Sequence, residues 1–257
     1  MKRFIPACLL PAFILFFLLS AGCSSDRIVD PPVSGTVTLL TRSVTETAAA
    51  HRLLVFGFDM DNSCKLNHSF TSGSAVALTE GNYRFVTLTE TACFELPAAG
   101  TTAGLALDLP LPLKESVALE PILIKEATRV ALPQTSYIAV LQPATCLLRL
   151  TLTDAPENLT LTLQNMAAGL SLTGTYDTAA TKAYQLKAGD NLCLPTVGKA
   201  IVQFAETDGK TGTLKLGVPL EAGYTYQAAL KWHAEGLTLT SKVEMWNTGT
   251  STEGNAE

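Results

Sequence analysis

The strongest constraint on this chain is a period-two alternation of apolar and polar residues. In Cys146–Thr153, Leu148, Leu150 and Leu152 fall on one side and Arg149, Thr151 and Thr153 on the other. Leu159, Leu161 and Leu163 alternate with Thr160 and Thr162. The same spacing sets Leu214, Leu216, Val218 and Leu220 on one face, and Tyr224, Tyr226, Ala228, Leu230 and Trp232 on another. Leu237, Leu239, Val243 and Met245 share a third. Successive side chains of a strand point to opposite faces, so each segment buries one face and wets the other. No sustained helical periodicity accompanies these runs; a short helix is expected only over Thr45–Arg52. The pattern predicts an all-β chain of antiparallel sheets packed face to face.

The first half reads the same way with fewer marks. A strand is expected over Ser34–Leu40, and Leu53–Phe58 is apolar at every position except Gly57, as in a strand covered on both faces. Turn residues punctuate the segments: Glu80-Gly81-Asn82 before Tyr83, Asp208 to Gly212, and Glu221-Ala222-Gly223 before Tyr224. The first and last of these resemble each other and suggest an internal repeat, each opening a late strand of its half. Pro143, in Leu141–Thr145, breaks a ladder just before a fresh Leu alternation. Two β-sandwich domains are therefore expected, 30–143 and 144–247. Residues 248–257 are polar apart from Ala256 and read as a flexible tail.

The N-terminus differs from everything that follows. Lys2 and Arg3 precede an apolar run from about Ala7 to Leu19, interrupted by Pro11, which has the length of a signal h-region and is short for a spanning helix. Ser20, Ala21 and Gly22 then lead to Cys23. This resembles a bacterial lipobox, in which a peptidase cuts before a diacylated cysteine, although Ser20 stands where Leu is usual. Residues 1–22 are thus expected to be a lipoprotein signal peptide, Cys23 the lipidation site, and 23–29 a polar linker. Each buried methylene of an acyl chain adds about 0.8 kcal/mol of membrane attachment. The other readings are an uncleaved anchor and an ordinary secretory signal.

The formal net charge is −5. Residues 1–22 hold Lys2 and Arg3 and no acid, so the rest is more acidic still. With no basic cluster, nucleic acid is not an expected partner. Beyond Cys8 and Cys23, four cysteines remain: Cys64, Cys93, Cys146 and Cys193. Four allow three pairings. One bridge per half, Cys64 with Cys93 and Cys146 with Cys193, is the favoured set in an oxidising compartment, against four free buried thiols.

Catalytic motifs fall short. Gly169, Ser171 and Gly174 miss the nucleophile elbow because the second glycine comes one residue late. Gly209-Lys210-Thr211 lacks the earlier glycine of a phosphate loop, having Phe204 there, and reads as a hairpin tip. Asp59-Met60-Asp61-Asn62 starts like a calcium loop, but Cys64 replaces the glycine and Phe70 the final glutamate, so a polar turn is expected. His51, His68 and His233 have no metal spacing. No enzyme activity, metal or cofactor is expected.

Four stretches together resemble the fimbrillin-like lipoproteins of Bacteroides-type bacteria, closest to their fimbrial anchor-subunit family. They are the Cys23 lipobox with its polar linker, Leu53–Asp61 ("LLVFGFDMD"), Arg149–Asp177 with two Leu-alternating strands and a Leu-x-Gly-x-Tyr turn, and Glu221–Trp246 with its Gly-Tyr-x-Tyr strand and Val-x-x-Trp ending. The resemblance implies two transthyretin-like antiparallel β-sandwich domains in tandem after a lipoprotein signal peptide, and no catalytic site. It implies a lipid-anchored subunit on the outer membrane or in a fimbrium, with other fimbrial subunits as partners through strand exchange. In such proteins an arginine-specific protease removes the first strand with the lipid, opening a groove that a neighbour's strand fills; anchor subunits keep both. Arg42, just after the expected first strand, is the candidate cleavage site, and the plainer reading makes it a solvated loop residue. A chain cut there would be a polymerising stalk or tip subunit. The alternative function is a surface glycan-binding β-sandwich lipoprotein, for which Trp246 would be the stacking residue.

Overall fold

The computed structural model describes residues 34–43, 52–115, 117–133, 136–234, 236–240 and 242–247. The expected signal peptide, Cys23, the Thr45–His51 part of the expected helix, and the tail lie outside them. Among the described residues every regular element is a strand. Eight belong to the first half: β1 (Ser34–Ser43), β2 (Leu53–Asp59), β3 (Cys64–Phe70), β4 (Ser74–Thr79), β5 (Asn82–Thr89), β6 (Pro110–Pro112), β7 (Leu123–Ala131) and β8 (Ser136–Pro143). The second half holds β9 (Cys146–Thr153), β10 (Thr160–Ala167), β11 (Gly169–Ser171), β12 (Thr181–Leu186), β13 (Gly189–Cys193), β14 (Lys199–Ala205), β15 (Thr211–Pro219), β16 (Tyr224–His233), β17 (Gly236–Leu239) and β18 (Glu244–Asn247).

Sheet membership changes at the Pro143–Cys146 join. Seven strands of the first half form one sheet in the order β3-β2-β5-β7-β8-β1-β4. β7 and β8 touch only through Leu123↔Pro143 and Ile124↔Gln142. There the sheet folds over, and its two layers enclose a core that includes Val37, Leu39, Val55, Phe85, Tyr137 and Leu141. The second half forms two sheets, β12-β10-β14-β15 and β13-β9-β16-β17, with β18 also on β16.

The two halves repeat one topology. In each, the first strand lies between its antiparallel partner and a late parallel partner: β4-β1-β8 and β13-β9-β16. The facing layers are β3-β2-β5-β7 and β12-β10-β14-β15. Two findings differ from the sequence reading. β1 with β8, and β9 with β16, are parallel pairs within otherwise antiparallel sheets. The repeat also equates β5 with β14 and β8 with β16, so the similar turns before Tyr83 and Tyr224 are not equivalent positions. Alternation tells which face a residue takes and is silent on which strand lies beside it.

β2 is buried along nearly its whole length. Leu53 and Val55 enter the core of the first half. Leu54, Phe56 and Phe58 enter a second core that continues through Leu148, Leu163 and Tyr226 of the other half. A strand sandwiched between two cores has no polar face, which accounts for the unbroken apolar run.

The excursion from Thr89 to Leu123 crosses between the halves. Within it, β6 pairs antiparallel with β11 through Leu111↔Leu170. Tyr176 donates its hydroxyl to the Ala144 carbonyl at 2.9 Å, and Ala144 N–H donates to the Ile122 carbonyl at 2.7 Å, tying the join to this crossover.

Candidate functional site

In a chain of strands, the places open to a partner are edges, grooves and any strand that can be exchanged. β1 sits between β4 and β8, and Val37 and Leu39 on it are fully buried. Its pairing with β8 runs past Leu40: Thr41 lies opposite Ala139, Arg42 opposite Val140 and Ser43 opposite Leu141. Arg42 is thus inside the strand ladder, not in a loop after it. A protease that takes its substrate extended and unpaired would have to peel the end of β1 from β8 first.

The second half has two lateral openings, and they differ. Between β15 and β17 the Phe204 ring is wedged against two glycines: a Cβ on Gly212 would come within 2.4 Å of that ring and one on Gly236 within 2.9 Å. Trp232 stacks edge-on against Phe204 at 5.5 Å. Lys210 covers the Trp232 ring at 5.2 Å and reaches the Ala234 carbonyl. Aromatic packing walls that opening, and a pocket of about 740 Å³ lined by Phe204, Gly212, Gly236 and Leu237 remains there.

Between β12 and β13 lies a groove of about 850 Å³. Its apolar lining includes Leu147, Met166, Leu186 and Leu192, and Leu113, Lys114, Val117, Ala118 and Leu119 of the crossover cover one side. The Leu113 N–H donates to the Ala168 carbonyl and the Lys114 N–H to the Cys93 carbonyl, which fixes the cover through its main chain. Lys182 donates to the Leu113 and Lys114 carbonyls at 2.8 and 3.0 Å, and the Leu119 backbone reaches the Tyr184 hydroxyl. At the rim Arg149 clamps Asp190 with two bonds of 2.6 and 3.1 Å, which holds the Asp190 carboxyl below the usual carboxylate range. Lys182 and Tyr184 carried no signal in the sequence, because their role depends on a segment some seventy residues earlier.

The four cysteines are free and buried. Cys146 and Cys193 are direct partners across β9 and β13, with the Cys146 sulfur 3.4 Å from the Cys193 carbonyl. Cys64 instead donates to the Leu66 carbonyl at 3.2 Å, and Cys93 to the Ala118 carbonyl at 3.4 Å. The contact with the Cys146 thiol, then burial, pushes the Cys193 thiol well above its ordinary value. Burial also raises Tyr176, Tyr226 and Tyr137. All four are neutral when protonated, so the folded state resists ionising them. Their contribution to stability is complete below the unfolded values, about 8.5 for Cys and 10 for Tyr, and is lost as pH rises above them. The reduced protein is expected to hold its urea midpoint from pH 7 to about 8 and lose it progressively toward pH 11. Cys193→Val should flatten the first part of that decline.

The remaining motifs are local structure. Asp59 accepts the Asp61 and Ser63 N–H groups at 3.0 and 2.9 Å, closing the β2–β3 turn. The Ser171 hydroxyl is held by Thr173 at 2.7 Å and accepts the Thr175 N–H at 3.3 Å. Gly209-Lys210-Thr211 is the β14–β15 hairpin. His51 lies outside the described residues, and no group of metal-ligating side chains occurs among them. Trp246 lies on β18 and is 47% exposed.

Neither a family model nor a curated protein sequence matches the chain. Solved structures do. A candidate polysaccharide-binding protein from Bacteroides thetaiotaomicron superposes with a TM-score of 0.63 at 10% identity, over 82% of this chain and 97% of that one. A candidate adhesin from Bacteroides ovatus gives 0.60 at 13%, over 87% and 98%. The fimbrial anchor protein of Porphyromonas gingivalis gives 0.58 at 11%, over 84% and 98%. The fold is the one that this fimbrial anchor protein and the two Bacteroides proteins share. At these identities the likeness lies in the layers, and the all-β architecture expected from the alternation is the one these proteins share.

Proposed function

We propose that this chain is a structural, non-enzymatic subunit of a cell-surface fimbrium, of the anchor or minor kind, tethered to the outer membrane through lipid on Cys23 and joined to other subunits by strand addition. Two domains, 30–143 and 144–247, make up the body. The observation that carries the reading is the state of β1. It ladders to β4 over Ser34–Leu39 and to β8 over Thr38–Ser43, and it fills their core with Val37 and Leu39, so the slot between them is occupied by the chain's own strand. Arg42 within the ladder favours a subunit that keeps its first strand and lipid. The shared fold with a fimbrial anchor protein supports the same side.

The test is the N-terminus and mass of the protein from membrane and from sheared-surface fractions. An acylated chain starting at Cys23 in the membrane fraction is the expected result. A chain starting at Ser43 in sheared material would reassign it as a stalk or tip subunit. An unmodified start elsewhere would remove the lipid anchor from the proposal.

A second reading, glycan binding, is favoured by one feature. Strand register sets exposed Trp246 in a row with Thr225, Leu147 and Leu192 on one face of the sheet. An exposed aromatic ring in line with the Leu147 and Leu192 side of the groove offers a flat surface on which a sugar ring can stack. Reproducible binding on a glycan array that disappears in Trp246→Ala would establish this reading; a blank array would dismiss it.

A further inference from the structure

Two arginines of the first half stand side by side with no acid between them. Arg84 on β5 lies directly opposite Arg129 on β7. Opposed residues on antiparallel strands bring their Cβ atoms within about 4.5–5.5 Å on the same face, and like charges there repel. The face is fixed by the next strand: Arg84 also lies opposite Phe58, which is fully buried in the core that continues into the second half. Arg84 is therefore half-buried at the margin of that core, while Arg129 is exposed.

Among the described residues no ion pair compensates these two arginines. The Arg84 Nε is buried and has no hydrogen-bond partner. Among the described residues the ion pairs are Arg52–Glu90, Lys65–Asp59, Arg149–Asp190 and Lys231–Asp154, and neither Arg84 nor Arg129 takes part. Glu126, the nearest acid before Arg129 on β7, packs its side chain beside Gly174 and makes no ion pair with either arginine. A guanidinium presents several N–H donors in a fixed planar fork that matches the oxygens of a carboxylate or sulfate. Two such groups carried by directly opposed residues, with neither in an ion pair, repel each other and attract an anion.

We propose that Arg84 and Arg129 form a binding site for an oxyanion group, a sulfate or carboxylate, that bridges the two guanidinium groups. The ligand is either the free ion or the same group carried on an acidic saccharide. This inference does not rest on the fimbrial reading, since it concerns residues of β5 and β7 and not the first strand.

The experiment is thermal unfolding of the full chain during titration with sodium sulfate, against sodium chloride at equal ionic strength, for wild type and Arg129→Gln. Arg129 is exposed, so its replacement leaves the fold intact. Wild type should show a saturable rise in Tm of roughly 3–6 °C at sulfate about tenfold above its Kd. In R129Q the saturable component should weaken at least tenfold in apparent affinity. Only the shallow, unsaturable response that sulfate gives any protein should remain. A parallel arm compares a sulfated oligosaccharide with its desulfated form. Tighter, R129Q-sensitive binding of the sulfated form places the group on a saccharide, and equal affinity per sulfate identifies the free ion. Identical sulfate curves for wild type and R129Q, or no saturable response in wild type, overturn the site.

Discussion

A chain beginning at Val44, and so lacking β1, should lose the stability of its first half and regain it when the peptide of residues 34–43 is supplied in solution. The magnitude follows from burial. Val37 and Leu39 are fully enclosed between the layers, and each such side chain is worth about 1.5–3 kcal/mol. Their loss alone removes about 3–6 kcal/mol, a large part of what an ordinary domain has. Backbone groups of β4 and β8 also lose their partner strand, since β1 ladders to both. The truncated chain should unfold earlier or self-associate through the bared edges, which is the hazard of any unpaired strand. The added peptide should restore the monomer and the original transition, and the same peptide with Leu39→Asp should not. Size-exclusion chromatography and thermal unfolding read both effects. A truncated chain that stays monomeric and equally stable would rule out strand addition through this slot.

The same strand shows what the sequence could and could not tell. The Thr36–Leu40 alternation is local and gave β1 its position and its buried face. The extra residues Thr41–Ser43 are strand only because β8, about a hundred positions later, runs beside them. A loop was therefore expected where Arg42 is paired. β6 and β11, three residues each, are too short to show any period; they exist because the crossover brings two backbones together. Leu237 to Met245 read as one face, yet the chain breaks it into β17 and β18, which line up end to end along β16. Met245 is more than half exposed as a result. Cys146 and Cys193 were matched from a count of cysteines and the division into halves. Their register across β9 and β13 makes them the one directly opposed cysteine pair among the described residues. The arginine pair left no trace in the sequence, because opposition across β5 and β7 depends on a bulge between them.

Gly169→Ala should cost about 2–4 kcal/mol, more than alanine at either glycine of the crossover, Gly100 or Gly104. The reason is the identity of the atoms in the way. A Cβ at 169 would lie 2.4 Å from the Leu111 carbonyl oxygen and 2.9 Å from the Pro112 Cα. These are backbone atoms of β6 and cannot rotate aside, so β6 and β11 would have to part. Parting them uncovers Leu111 and Leu170, both buried, and strains the Leu113 N–H to Ala168 and Leu172 N–H to Leu109 bonds that frame the pair. Gly100→Ala supplies the comparison. Its φ is +85° but nothing lies within 4 Å of the added carbon, so it should cost only the backbone penalty of about 1 kcal/mol. Urea unfolding of the two variants separates steric approach from backbone strain. Because β6 and β11 come from different halves, Gly169→Ala should also split a single unfolding transition into two, with the probes of each half no longer coincident. If the variant keeps one transition at nearly wild-type midpoint, the β6–β11 contact is not what couples the halves, and the continuous core through Phe56 and Leu148 must be.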